Sequence, residues 1–223
     1  MSKDAVQPQP LPPPIPGPCG EGALPLLLRF VDRIRPGGRV LEIGAGQGER
    51  ALLLARRGWR VTAIEAAPAA LERLRETAAR EKLTLELPDG DVFNCTLEGP
   101  FDAVLAFDRL QSLTRRESAS LLYRAMGWLP PGGLLLLSSI HVDDPAYDAC
   151  RDQWERIGLH SYRGPGGLVR TFLARHEILD LLIGWDVLHH CEAAGPAHAH
   201  GAAAPERHGV VEVVARKTEE IAR

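Results

Sequence analysis

Residues 40–66 combine an apolar strand pattern, three closely spaced glycines and acids at both ends of the run. Residues 42–48 read E-x-G-x-G-x-G, and glycines in this arrangement let the backbone turn sharply and approach a ligand closely. The helix that follows begins with unpaired N–H groups, which favour a polar or anionic ligand at that point. The stretch therefore predicts a nucleotide-binding unit.

The glycine spacing indicates which nucleotide is bound. In the dinucleotide fingerprint the third glycine follows the second by three residues, and the helix end holds a pyrophosphate. Here Gly48 follows Gly46 by two residues. An acid at Glu42 suits an ammonium group better than a pyrophosphate, and Glu65, 21 residues after Gly44, is placed to accept both ribose hydroxyls. We interpret the set as a site for S-adenosylmethionine (SAM); a NAD-dependent oxidoreductase is the alternative that the glycine spacing disfavours.

The elements that position these residues alternate between strands and helices. Strand patterns occur at residues 39–43, 60–65, 84–87, 101–107, 134–140, 185–191 and 210–216. Helical patterns occur at residues 24–34, 48–57, 68–81, 115–128 and 177–182. We predict an α/β, Rossmann-like fold: a seven-stranded, mostly parallel sheet with helices on both faces and an antiparallel last strand, because no helix separates the final two strands.

The composition of the chain argues against a nucleic-acid-binding, membrane or secreted protein. The chain has 223 residues, of which 45% are hydrophobic and 25% charged, with a net charge of −3, so a chain-wide basic surface for nucleic acid is not expected. No apolar run approaches the roughly 20 residues of a membrane helix, and no signal peptide is evident, so we expect a cytoplasmic protein. We divide the chain into a proline-rich flexible tail (1–22), one domain (23–217) and a short C-terminal tail (218–223).

From about Leu24 to Lys217 the chain resembles the class I SAM-dependent methyltransferases. The resemblance implies that Glu42 lies near the methionine part of SAM, that Glu65 binds the ribose and that Asp91 binds the adenine amino group. Asp108, after the fourth strand, would face the sulfonium. The residues that the resemblance assigns to the cofactor are Glu42, Gly44, Ala45, Gly46, Gly48, Glu65, Ala66, Asp91, Val92 and Phe107.

Within that family the chain is most similar to the small bacterial tellurite methyltransferases and their thiopurine-type relatives. The shared features are Gly46-Gln47-Gly48, Gly58-Trp59-Arg60-Val61-Thr62, Asp143-Asp144-Pro145, Phe172 with Glu177-Ile178 and Gly184-Trp185, and Val214-Ala215-Arg216-Lys217. Such relatives place a histidine and arginines between the last two strands. The nearest equivalents are His198, His200 and Arg207, although the usual arginine directly after the histidine is absent. With Asp108 they are the candidate catalytic residues.

The expected reaction is methylation of a small molecule. Asp108 is not followed by the Pro-Pro-aromatic segment of nucleic-acid amino-methyltransferases, which disfavours a base-methylating role. The sequence contains no obvious buried acid/base pair, which favours a soft nucleophile such as a thiol, selenite or tellurite. An O- or N-methyltransferase of a small natural product is the alternative within the family. A non-catalytic SAM-binding protein is the alternative outside it, and the sequence leaves the oligomeric state open.

Other polar clusters admit structural and functional interpretations. Five histidines lie within residues 189–208, and we interpret them as a solvated insertion rather than a metal-handling loop, so no metal ligands are expected. The four cysteines are far apart without a CxxC pair, and we expect free thiols. Asp143, Asp144, Tyr147 and Arg151 either contact substrate or begin a capped helix, and residues 163–170 form either a lid or a solvated charged surface.

Overall fold

A computed structural model describes Gly20, residues 22–195 and residues 207–219. The strands in this part of the chain are β1 (Arg39–Ile43), β2 (Arg60–Ile64), β3 (Leu85–Glu86), β4 (Ala103–Ala106), β5 (Leu134–Ile140), β6 (Glu155–Gly158), β7 (Ser161–Arg163), β8 (Val169–Thr171), β9 (Trp185–Ala194) and β10 (Gly209–Lys217). The helices are α1 (Ala23–Phe30), α2 (Glu49–Arg56), α3 (Pro68–Arg80), α4 (Arg115–Trp128), α5 (Ala146–Gln153) and α6 (Glu177–Leu181).

The main sheet has seven strands in the order β3-β2-β1-β4-β5-β10-β9. Strands β1 to β5 run parallel, and β10 is antiparallel to both of its neighbours, β5 and β9. The predicted fold class is therefore confirmed. All seven residues of β5 are buried, as expected for an interior strand with helices on both faces.

Alternate residues of each central strand enter different hydrophobic layers. Leu41 of β1 packs in a cluster with Leu121 and Ala125 of α4, whereas Val40 packs in a second cluster with Phe30 of α1 and Leu54 of α2. The period of two along the strand places helices on both faces of the sheet. Both hydrophobic layers pack against β1, β2, β4 and β5. This packing fixes the positions of the residues at the carboxyl ends of these strands.

The helix starts follow from local sequence. Thr114 caps α4 through a reciprocal capping box with Glu117, and Pro68 is the first residue of α3, where its missing N–H costs nothing. The first helix is shorter than predicted, because α1 ends at Phe30 and continues as a single 3₁₀ turn over Val31–Arg33.

The region between β5 and α6 is more regular than its sequence pattern indicates. It contains α5 and a separate three-stranded antiparallel sheet in the order β6-β7-β8. Residues 163–170, considered above as a lid, comprise the end of β7, the turn at 164–168 and the start of β8. Tyr147, Tyr162 and Phe172 pack edge to face beneath this sheet. Strands of three or four residues carry too short an alternation to be recognised in sequence.

The expectation of free thiols is confirmed in part. Cys95 and Cys150 are buried and free. Cys191 is disulfide-bonded, so the expectation is wrong for that residue. Separation along the chain does not report separation in space, which is why the missing CxxC pair misled the prediction.

Most of the proline-rich segment and the C-terminal tail lie outside the described residues, as do His198 and His200. Among the residues that are described, every helix is too short or too polar to cross a membrane.

Candidate cofactor and acceptor site

Glu42 is a buried acid in the middle of the main sheet. It lies in β1 between Ala63 of β2 and Leu105 of β4, and it is only 1% exposed. Its Oε1 accepts a hydrogen bond of 2.6 Å from Arg50 Nε, whereas its Oε2 is buried and makes no hydrogen bond in the described structure. Burial raises the pKa of Glu42 to about 7 against the opposing effects of Arg50 and of the Ala51 backbone N–H. The uncommitted oxygen is suited to a donor such as an ammonium group.

The glycine turn that follows β1 is left-handed at each glycine. Gly44, Gly46 and Gly48 have φ values of 77°, 58° and 81°. A Cβ at Gly46 would meet nothing within 4 Å, whereas one at Gly48 would lie 2.2 Å from Leu74 Cδ1 of α3. Gly46 therefore keeps open surface beside the turn, and Gly48 allows α2 and α3 to pack closely.

Glu65 follows the end of β2 and is tied to that turn. Its Oε2 accepts from Gly46 N–H at 2.8 Å, and its Oε1 accepts from Ala67 N–H at 2.8 Å. Because each carboxylate oxygen has two acceptor positions, both remain able to accept a hydroxyl group. Ala66 is exposed beside it.

Asp91 lies beyond β3 and forms an ion pair with Arg109. Asp91 Oδ2 accepts from Arg109 Nη2 at 2.7 Å, and Asp91 Oδ1 accepts from Phe93 N–H at 3.0 Å. Arg109 Cδ lies 3.5 Å from the position of a Cβ on Gly44. Arg109 therefore crosses from the glycine turn to Asp91, and Val92 is buried beside it. The sequence-based selection of site residues missed Arg109, although its position after β4 could have indicated it.

Asp108, directly after β4, has an unusual backbone conformation. Its φ is 54°, in the left-handed region that disfavours residues other than glycine. Its N–H donates to Ser138 O and Ser138 Oγ, both at 3.0 Å, and its Oδ1 accepts from Ser138 Oγ at 2.8 Å. β5 thus holds the exposed Asp108 in a strained conformation, a feature that clusters at functional sites.

Phe107, predicted to touch the cofactor, is buried in the layer that packs on α1 and α2. The guanidinium of Arg50 lies 5.3 Å from its ring centroid. The structure thus joins Phe107 to Glu42 through Arg50, which contacts both.

Arg207 is the one predicted acceptor-side residue of the final loop that lies among the described residues. It is exposed, and its Nη1 donates to Gly195 O at 3.2 Å. Gly209 pairs with Ala194, and the next residue of β10 pairs with the last residue of β5. Arg207 therefore lies at the sheet edge at which β5 ends.

Asp144 lies just before α5 but is not its capping residue, because the N-cap is Pro145 and no side chain among the described residues caps the helix. Asp144 is buried and accepts from Ala146 N–H at 2.8 Å and from Gly209 N–H at 3.1 Å, which ties the start of α5 to β10. Asp143 is exposed, and its Oδ2 accepts from Arg175 Nε at 2.7 Å. Both carboxylates are thus engaged within the protein.

Further along the same segment, Arg151 is paired with Asp148 and Asp152 at the surface. The Tyr147 hydroxyl lies 2.6 Å from His160 Nδ1. These contacts fit a structural role for both residues.

His141, at the end of β5, was not selected from the sequence. It is 1% exposed and packs so closely on Gly209 that a Cβ there would lie 2.8 Å from His141 Cε1. Its Nδ1 accepts from Asp143 N–H at 3.1 Å. Burial, together with the charge of Arg175, lowers the pKa of His141. A neutral ring therefore supports the loop behind Asp143.

A pocket of about 420 Å³ lies beside Arg39, Glu86 and Phe101. Arg39 begins β1, so this pocket is at the opposite end of that strand from the glycine turn. It shares no residue with the predicted cofactor site. The constellation of Glu42, Glu65, Asp91 and Asp108, at or beyond the carboxyl ends of parallel strands, is therefore the stronger candidate, because open α/β sheets bind ligands at that edge.

Comparison with known proteins identifies the same region of the chain. A family model described as a methyltransferase domain matches residues 40–133. The chain is 41% identical over 108 residues to a protein-L-isoaspartate O-methyltransferase of Methylorubrum extorquens, an alignment that covers 47% of each protein. It is 30% identical over 114 residues to a ubiquinone biosynthesis O-methyltransferase of Xanthomonas campestris pv. campestris, covering 50% of this chain and 47% of that protein. The chain thus spans about half the length of these curated relatives.

The fold extends beyond the matched region. The crystal structure of TehB from Haemophilus influenzae superimposes with a TM-score of 0.69 and 20% sequence identity, covering 86% of this chain and 61% of that one. At this identity the similarity shows a shared fold.

Proposed function

We propose that the chain is a class I SAM-dependent methyltransferase, in keeping with the methyltransferase-domain match over residues 40–133, and that it transfers the methyl group of SAM to a small-molecule acceptor. The observation that carries this proposal is the buried, uncommitted Oε2 of Glu42 beside a glycine turn that is open at Gly46. A carboxyl oxygen in that position suits the ammonium group of a zwitterionic nucleoside and not a pyrophosphate.

The residues fit SAM in three parts. Glu42 would hold the ammonium group, both oxygens of Glu65 would accept the ribose hydroxyls, and Asp91 with Val92 would bind the adenine. SAM supplies a methyl group already activated on a sulfonium. The protein's task is then to align the acceptor and exclude water, and such positioning is worth roughly 7–11 kcal/mol.

Asp108 is the residue that we propose to face the acceptor. Its backbone is held by two hydrogen bonds from its N–H to Ser138, and its carboxylate is held by a third, so its position is fixed before any ligand binds. Arg207 would lie on the acceptor side of the same edge. His198 and His200 retain the role inferred from the resemblance, because they lie outside the described residues.

We propose a soft nucleophile as the acceptor, such as a thiol, selenite or tellurite. These acceptors are anionic or easily deprotonated near neutral pH and need no strong base. The neutral ring of His141 is engaged with Asp143 N–H and is buried, so it is not available as a base. An O- or N-methyltransferase of a small natural product is the second candidate, supported by the O-methyltransferases among the curated relatives.

Cofactor binding is tested by calorimetric titration of the dialysed protein with S-adenosylhomocysteine (SAH) and with NADH. We expect SAH to bind at one site and to bind Glu65→Ala at least about tenfold more weakly. NADH is expected not to bind. Glu72→Ala, an exposed acid on α3, is the matched control. Binding of NADH without SAH would refute the proposal.

The acceptor is tested by transfer of a tritiated methyl group from SAM to thiols, selenite, tellurite, arsenite and phenols. A soft acceptor predicts that Asp108→Asn retains activity within about tenfold, because no proton has to be removed by the protein. A phenol acceptor predicts a loss of about 10²–10⁴-fold in the same variant if Asp108 is the base. Transfer to none of these compounds, with SAH bound normally, would remove the soft-acceptor proposal and leave cofactor binding intact.

A further inference from the structure

Three side chains with metal-ligating atoms meet beside β9, away from the glycine turn. His190 and Glu192 are two residues apart on β9 and therefore point to the same face of the strand. His176 comes from the turn immediately before α6. One ligand atom from each of the three residues lies within 4.8 Å of the others.

Glu192 is the centre of this cluster, and its side chain is 3% exposed. Its Oε1 accepts from the His176 backbone N–H at 2.7 Å and lies 3.2 Å from His190 Nε2. Its Oε2 is buried and makes no hydrogen bond among the described residues. A buried carboxyl oxygen without a hydrogen bond destabilises the fold, and a bound cation would remove that penalty.

We propose that His176, His190 and Glu192 bind a divalent transition-metal ion of the zinc class. Two imidazoles and one carboxylate are a common set of zinc ligands, and they leave a fourth position for water or an exogenous ligand. In a tetrahedral site with bonds of 2.0–2.1 Å, neighbouring ligand atoms are about 3.3 Å apart. The His190 Nε2 to Glu192 Oε1 distance already has that value, and His176 Nδ1 lies 3.9 Å from Glu192 Oε2.

Small side-chain rotations therefore complete the site. The side chain of His176 is 73% exposed, so its ring is free to turn, and the metal ion has a path from solvent. His190 Nε2 would bind the ion in place of its proton, as metal coordination by imidazole requires.

The neighbouring Arg175 forms a long ion pair with Glu192 but no hydrogen bond. Arg175 Nη1 lies 3.9 Å from Glu192 Oε2, beyond hydrogen-bond distance. The Nε and Nη2 atoms of the same guanidinium both donate to Asp143 Oδ2. The hydrogen bonds of Arg175 thus go to Asp143, while Glu192 Oε1 lies nearest His190 Nε2 and Glu192 Oε2 lies 3.9 Å from His176 Nδ1.

A metal ion at this position would connect α6 to the edge strand β9. Glu192 lies two residues before Ala194, which pairs with Gly209 at the start of β10. The next residue of β10 pairs with Ile140, the last residue of β5. The proposed site is therefore at the same sheet edge as Asp108 but beyond β10, and it is separate from the cofactor residues. The proposal differs from the expectation, drawn from the sequence, that the protein has no metal ligands.

The test is titration of the untagged, chelator-treated full-length protein with Zn²⁺ by calorimetry and with Co²⁺ by visible absorption. We expect one ion per chain and the intense d–d absorption of tetrahedral Co²⁺ with nitrogen and oxygen ligands. Glu192→Gln and His190→Gln are expected to weaken binding by more than the roughly 10–100-fold that the loss of an outer-shell partner costs.

Two controls separate this site from the other histidines. His189→Gln alters the adjacent histidine, which contacts Arg29 of α1 instead, and should bind Zn²⁺ like the unaltered protein. The double variant His198→Gln/His200→Gln should do the same. Failure to bind Zn²⁺, or loss of binding in the double variant with retention in Glu192→Gln, would overturn the proposal. SAH titration of the same samples tests the proposed function independently, because these residues do not contact the cofactor site.

Discussion

Glu42 shows how one buried side chain can couple ligand binding to pH. The sheet removes it from water, which raises its pKa to about 7 from an ordinary value of 4.5. A raised pKa in an acid means that the folded protein holds the proton more tightly than the unfolded chain. Ionisation of Glu42 therefore lowers the free energy of unfolding as the pH rises from 4.5 to about 7, and the effect is complete above that pH.

We predict that SAH binds more weakly as the pH falls below about 7. An ammonium group favours the ionised carboxylate, so binding at low pH has to expel the proton, and affinity should fall by up to about tenfold per pH unit. Calorimetry in two buffers of different ionisation enthalpy measures both the affinity and the proton release. In Glu42→Gln the pH dependence should disappear, whereas Glu49→Gln, an exposed neighbour, should retain it. If SAH affinity falls with decreasing pH equally steeply in Glu42→Gln and in the unaltered protein, the proposed contact between Glu42 and the ammonium group is wrong.

At the scale of the element, the glycine turn has two separate tasks. Gly46 leaves open surface for a ligand, and Gly48 lets Leu74 of α3 approach the start of α2. Leu74 is fully buried, so it has little space in which to move away from an added methyl group. Glycine therefore serves packing at Gly48, and we expect it to serve ligand binding at Gly46.

Alanine substitutions should separate those tasks. Gly46→Ala adds only the cost of a left-handed alanine, about 1–2 kcal/mol in the free energy of unfolding, and should weaken SAH binding. Gly48→Ala adds overpacking against Leu74, for a total of roughly 2–5 kcal/mol. Chemical denaturation monitored by circular dichroism measures both. A Gly46→Ala variant that is less stable than Gly48→Ala would show that the packing against α3 is not the larger constraint.

At the scale of the whole molecule, one arginine of α4, a helix packed on the main sheet, also contacts α6 and the small sheet β6-β7-β8. Arg115, the first residue of α4, forms an ion pair with Glu177 of α6. Its side chain also donates to the carbonyls of Leu159, between β6 and β7, and of Phe172, directly after β8. Burial lowers the pKa of Arg115, but not enough for the guanidinium to lose its proton near neutral pH.

We predict that Arg115→Ala loosens the attachment of the small sheet. Removing a charged donor from two carbonyls and a half-buried carboxylate should lower the free energy of unfolding by roughly 2–3 kcal/mol. Hydrogen exchange followed by mass spectrometry should show faster exchange in residues 155–176 than in β1. Arg116→Ala, at the exposed adjacent position, is the control and should change neither quantity. Uniformly faster exchange across the main sheet would mean that Arg115 stabilises the whole domain and not this attachment.

The sequence alone predicted the parts of the protein that depend on local pattern. The period of two in the strands and of 3.6 in the helices predicted the main-sheet strands and the long helices, with α4 and β5 at their observed boundaries. The glycine spacing, with Glu42 and Glu65 at the ends of neighbouring strands, predicts a cofactor site at one edge because parallel strands end on the same side of a sheet, and that assignment stays a prediction.

Only the tertiary structure showed which distant residues meet at that edge. Arg109 reaches Asp91 across 18 residues of sequence, and Ser138 holds Asp108 across 30. His176 meets His190 and Glu192 because β9 lies beyond β10 at the edge of the sheet, next to the turn before α6. The order of strands in a sheet and the packing of short strands depend on long-range contacts, which local periodicity does not encode.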